Sequence, residues 1–277
     1  MSDLQNPGFI PPVAGDLREP PEIIPPEPLP VPPEENPPWG IWEVVGIIAV
    51  GFVALFFSVV VVILLAHHFL FPHESPLEGL QERPMLLIAA QALTYVLVIL
   101  FMVFLVKRTN PRSFGDAIRW RWPENPWAYL IGGVGLSVVL QLLGHFVPIP
   151  KDLPMDRFFK TSLDAWILAV FGVLVAPLME ELFFRGFLYP VLARRLGMFV
   201  SIVLTGLGFA LVHAQQLGHA WGPVLIIFLV GVALTTARAR AKSVAAGWLI
   251  HFAYNGTLFG LMFLATGGFR HMERLNQ

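Results

Sequence analysis

Seven stretches of the chain are almost wholly apolar and are separated by short polar segments. From residue 44 to residue 66 no charged side chain interrupts the run. About 20 helical residues at 1.5 Å each suffice to cross a bilayer's hydrocarbon core. Comparable stretches cover residues 84–106, 127–147, 163–192, 199–213, 223–236 and 244–266. Backbone groups in lipid must be satisfied within their own segment, so the pattern predicts an all-α, polytopic transmembrane helical bundle of about seven spans. The stretch 163–192 is long and turns polar in its second half, and Pro177 is expected to kink or break it. Trp39, Trp42, Trp120, Trp122, Trp127, Trp166 and Trp221 fall near span ends, where indoles favour the headgroup interface.

Composition supports the bilayer as solvent: 56% of residues are hydrophobic and only 13% charged, about half the charged share of an ordinary soluble domain. The formal charge of −1 and the scattered basic residues exclude a nucleic-acid surface. With no cysteine there is no thiolate nucleophile and no cysteine-bound metal. Thirteen prolines lie in residues 1–38 and block regular helix, so this segment is expected to be a disordered, proline-rich cytoplasmic tail. It is a flexible spacer or a ligand for a proline-recognising partner. Lacking the signal-peptide pattern, it leaves the first apolar run as a retained anchor. Residues 39–125 then hold two amino-terminal helices and a basic loop, and 126–270 the remaining helical core.

Lys107, Arg108, Arg112, Arg119, Arg121, Arg194, Arg195, Arg238, Arg240 and Lys242 all fall on one side of a seven-span arrangement. The positive-inside rule makes that side cytoplasmic, with the amino terminus, in a plasma or inner membrane.

Ionisable groups at membrane depth are costly, so those inside the spans mark function or paired structure. Glu180, Glu181 and Arg185 sit in APLMEELFFRGF, His213 in GFALVHAQQ, and His251 with Asn255 in WLIHFAYNG. Residues four apart share a helix face whereas adjacent ones diverge by about 100°, so Glu181 can pair with Arg185 while Glu180 stays free for proton transfer. An ion network using both glutamates is the structural alternative. His213 alone reads as a histidine bonded to a neighbouring helix. His251 and Asn255, one turn apart, can present two donors to one point, as an oxyanion requires. His67 and His68 close the first span and read as interfacial. The lone His73–Glu74 dipeptide does not continue into a zinc-protease signature, and neither a GxSxG nor a Walker sequence occurs.

In order, Glu180-Glu181-xxx-Arg185, Phe209-xxx-His213 and His251-xxx-Asn255 resemble the three motifs of the CAAX prenyl protease and bacteriocin-processing family of intramembrane proteases. The resemblance covers about residues 130–266. It implies an enzyme in which Glu180 and His213 activate a water, His251 and Asn255 stabilise the oxyanion, and Glu181, Arg185 and Phe209 support the site. A zinc-dependent variant would use Glu180, His213 and His251 as ligands, with water in the fourth position. The implied substrates are membrane-associated or prenylated-type polypeptides. Two other classes remain open from the residues themselves: a non-catalytic membrane scaffold or bacteriocin self-immunity protein, and a proton-coupled transporter in which Gly206 and Gly208 permit helix movement.

Overall fold

A computed structural model of the protein describes residues 36–76, 83, 85–109, 112–150 and 153–272. All seven apolar stretches are helical. Helix α1 spans Ile41–Phe69 and α2 Met85–Thr109, followed by the short α3, Phe114–Ile118, and by α4, Pro126–Gly144. A 3₁₀ turn, Pro154–Phe158, leads into α5, Ser162–Val170. The chain continues through a π segment, Phe171–Val175, into α6, Ala176–Glu180. A second π segment, Glu181–Leu188, joins α6 to α7, Tyr189–Leu196. Helices α8, Met198–His213, α9, Trp221–Ala241, and α10, Val244–Ala265, complete the described part.

Six helical stretches among the described residues are long and apolar enough to cross a membrane, the fourth running from Ser162 to Leu196 through both π segments. Helix α8, at 16 residues, reaches about 24 Å, short of a hydrocarbon core of about 30 Å.

Burial is inverted relative to a soluble protein. Phe52, Phe146 and Phe199 are 72%, 83% and 77% exposed, while Thr94, Ser137, Glu181, Arg185, Ser201 and Thr235 are buried. An apolar exterior around a polar interior is the arrangement that lipid favours.

Local sequence explains the helix starts. Asn125 caps α4 ahead of Pro126. Thr161 and Asp164 form a reciprocal capping box at α5. Ser243 caps α10 through the Ala246 amide and also donates to the Arg121 carbonyl. Gly197, at φ +76°, ends α7 in a conformation that favours glycine and lets α8 begin at once.

Helices α1 and α2 form a hairpin, α4 packs along α10, and α8 along α9. Small residues allow close approach where it matters. A Cβ on Gly231 would sit 2.8 Å from the Gly206 Cα, and one on Gly206 only 2.9 Å from Val232 Cγ2. Gly206 is therefore a tight packing contact between α8 and α9. On α4, a Cβ on Gly133 would collide with the Ile250 carbonyl, which fixes α4 against the part of α10 that carries His251.

Two expectations change. Trp39 is not an interfacial indole: it is 3% exposed, stacks on Phe187 at 4.5 Å and donates its Nε1–H to the Phe187 carbonyl at 3.2 Å. Trp42, Trp127 and Trp221, by contrast, are 79%, 69% and 61% exposed. Most of the expected tail, residues 1–35, lies outside the described residues, but its last residues are held by Arg194. That guanidinium donates to Asn36 Oδ1 at 2.8 Å and to the carbonyls of Pro37 and Trp39 at 3.2 and 3.3 Å.

Candidate active site

The interrupted helix places the two glutamates. Pro177, expected as a kink, acts through the π segment before it. Ala176 donates five residues back, to the Phe171 carbonyl, and the next bond in that series would need an N–H on residue 177, which proline lacks. The Gly172 carbonyl is thus left for an outside donor, and Asn255 supplies one through Nδ2 at 2.7 Å. Glu180 ends α6 and Glu181 opens the second π segment, so their side chains diverge.

Glu181 and Arg185 are completely buried and paired, with Nη1 to Oε1 at 2.8 Å. Arg185 spends its other donors on the Gly231 carbonyl at 3.0 Å and the Thr235 hydroxyl at 3.3 Å, and its guanidinium lies 4.7 Å from the centre of the Phe209 ring. A buried cation with each of its three nitrogens engaged is a structural anchor, tying the π segment to α8 and α9. Glu181 Oε2 has no hydrogen-bond partner among the described residues. It occupies the space where a Cβ on Gly247 would be, 2.5 Å away, so glycine there is the condition for the carboxylate to fit.

Glu180 faces elsewhere, as its helical position predicts. Its Oε1 lies 3.7 Å from His213 Nε2 and its Oε2 3.6 Å from His251 Nε2. Both separations exceed a direct hydrogen bond. His213 Nδ1 is 2.7 Å from the Phe209 carbonyl, which can only accept, so Nδ1 carries a proton. His251 Nδ1 sits 3.1 Å from Glu181 Oε1 and is likewise the donor. A neutral imidazole with its proton on Nδ1 presents a lone pair at Nε2. In that neutral form the Glu180 carboxylate is flanked on both oxygens by accepting nitrogens, and a water or protons between them would satisfy all three. Glu180 and His213 side chains retain 17% and 20% exposure, against 0% for Glu181, so they are the reachable part of the site.

His251 thus donates through Nδ1 to Glu181 and sets Nε2 3.6 Å from Glu180 Oε2, while Asn255 gives one amide N–H to the first π segment and keeps the other. Phe209 packs against His213 and His251 with ring centres 4.7 and 5.8 Å away. The other membrane histidines stay with their own segment: His67 contacts Phe71 and His68 contacts Phe69. Glu74 pairs with Arg83 at 2.6 Å, and that contact holds its carboxyl below the usual carboxylate range. Thr235, Gly231, Gly247 and Gly172 escape a reading of the sequence, because neutral and glycine positions carry no signal until the partner side chain is placed.

Two imidazoles and a carboxylate are donor types that suit zinc, which Glu180, His213 and His251 would hold and which would acidify a bound water. Among the described residues, however, no three His, Asp or Glu side chains are grouped closely enough to bind a metal as they stand. No step below is routed through one.

Residues 162–268 match the family described as type II CAAX prenyl endopeptidase Rce1-like. The matched span begins with α5 and ends just past α10, and it contains every residue of the site. The UPF0177 protein YbdI of Lactococcus lactis subsp. lactis is 24% identical over 127 residues, covering 46% of this chain and 66% of that protein. The chain thus spans just under two thirds of the curated relative it matches. No solved structure matches. Family and apolar helices together make the protein an integral, multi-pass membrane protein.

Proposed function

We propose that the protein is an endopeptidase that hydrolyses peptide bonds of membrane-associated or prenylated-type polypeptides, with Glu180 as the base that activates water. The observation that carries this reading is the Glu180 carboxylate held between two imidazole Nε2 atoms at 3.6 and 3.7 Å. A water there donates one O–H to Glu180 and the other to His213 Nε2, leaving its lone pair for a substrate carbonyl. As the water oxygen bonds to the carbonyl carbon, its proton passes to Glu180. The carbonyl electrons become an oxyanion, stabilised by the free N–H of Asn255. When the tetrahedral intermediate collapses the C–N bond breaks, and the proton held by Glu180 moves to the leaving nitrogen. His251, fixed by its Nδ1–H to Glu181, lines the site beside Glu180.

The ten basic residues support an amino terminus on the cytoplasmic side. The carbonyls of Arg119 and Arg121 bond to Val244 and Ser243, so two of the basic loops lie together, and Arg194, from the third, holds residues 36–39. The proline-rich tail then faces the cytoplasm and any partner there.

Purified protein, a labelled library of membrane peptides, the Glu180→Gln variant and a chelator-treated sample test this reading together. Cleavage abolished by Glu180→Gln but insensitive to chelator supports a glutamate peptidase, and loss under both supports zinc on the same residues. A wild-type protein that cleaves nothing across the library refutes the peptidase reading in favour of a scaffold.

A further inference from the structure

The amino-terminal hairpin lies outside the matched residues 162–268, yet α2 reaches the π segment that anchors Asn255. The Tyr95 ring stacks on Phe171, with centres 5.7 Å apart and planes 11° from parallel. Phe171 opens the first π segment, and the next residue, Gly172, accepts the Asn255 amide at 2.7 Å. Helix α10 packs against the same turn as well: a Cβ on Gly172 would come within 3.0 Å of the Phe259 ring. The turn is therefore held by Tyr95 on α2 and by Asn255 with Phe259 on α10. Because Pro177 cannot supply the N–H that would close the turn from within, this outside support is what fixes the Gly172 carbonyl.

We propose that Tyr95 is a positioning residue, whose ring braces the 171–175 turn so that the Gly172 carbonyl holds Asn255 with its free N–H aimed at the reacting carbonyl. This rests on the peptidase reading given above. It makes the α1–α2 hairpin part of the catalytic apparatus, not an appended anchor. The support comes from the ring, so Tyr95→Phe preserves it and Tyr95→Leu does not.

The test compares Tyr95→Phe and Tyr95→Leu in the wild-type and Asn255→Ala backgrounds, in full-length protein. In the wild-type background Tyr95→Leu is expected to lower kcat on the order of tenfold to a hundredfold with KM unchanged, as for a misplaced group. Tyr95→Phe stays within about twofold, and in the Asn255→Ala background Tyr95→Leu costs nothing further. Equal losses in both backgrounds overturn the proposal, since a residue that acts only through general stability is additive with Asn255. A second readout is independent of activity. In protein labelled with ¹⁵N-asparagine, the side-chain amide signal of Asn255, assigned by its loss in Asn255→Ala, shifts with Tyr95→Leu but not with Tyr95→Phe. An unmoved signal overturns the proposal even if wild type cleaves no peptide, an outcome that separately refutes the peptidase reading.

Discussion

Replacing Arg185 with methionine removes a fully buried cation without leaving a large void, because the thioether fills much of the guanidinium's path. What remains is the Glu181 carboxylate at 0% exposure, having lost its 2.8 Å partner, while the Gly231 carbonyl keeps the Thr235 hydroxyl as a donor at 2.7 Å. Breaking a buried pair by deleting one member costs about 3–5 kcal/mol, since the surviving charge has no solvent to turn to. His251 Nδ1 still donates to Glu181, which places the expectation toward the lower end of that range. Removing both charges, as Glu181→Leu with Arg185→Met, takes away the orphaned charge and is expected to recover about 2 kcal/mol or more of the loss. Unfolding of the purified protein by graded denaturing detergent, followed by far-ultraviolet circular dichroism, measures both differences. If Arg185→Met unfolds within about 1 kcal/mol of wild type, the pair is not the anchor described here. A double variant less stable than the single one refutes the argument from uncompensated charge.

Asn255→Ala removes one oxyanion donor and is expected to lower kcat by on the order of 10² to 10³, with little change in the unfolding midpoint, measured on whichever library peptide the wild type cleaves best. Gly247→Ala drives a methyl group into the place of Glu181 Oε2, where a Cβ would lie 2.5 Å away. It should cost about 1–3 kcal/mol in the same detergent titration, whereas alanine at Gly132, with nothing within 4 Å, should not destabilise. Arg194→Ala frees the segment at residues 36–39, and limited proteolysis should then cut beside Trp39 on the order of tenfold faster, with peptidase activity retained.

The spans were legible because lipid leaves few options. An uncharged run such as 44–66 can only be a helix, and it appears as Ile41–Phe69. The pairing of Glu181 with Arg185, and the divergence of Glu180, followed from helical spacing alone. The consequences of Pro177 did not. A proline predicts a lost hydrogen bond but not that a π segment will absorb it, nor that the freed Gly172 carbonyl will be claimed by Asn255 from 83 residues away. Trp39 was misread for a related reason: an indole near a span end has the same sequence signature whether it faces headgroups or stacks on Phe187. His251 shares a helix face with Asn255, as its spacing indicates, but that periodicity says nothing of the two glutamates that engage its nitrogens from another helix.

The role of Glu180 is tested most directly by the cleavage rate of one library peptide under wild-type protein and Glu180→Gln, reconstituted in the same bilayers and matched for unfolding midpoint. Glutamine keeps the size of the side chain and disturbs no hydrogen bond shorter than the 3.6 Å approach to His251, so the fold should be spared. The account predicts a loss on the order of 10² to 10⁴ in kcat, the range for removing a general base. A variant that keeps its rate to within a few fold, while equally folded, would contradict it.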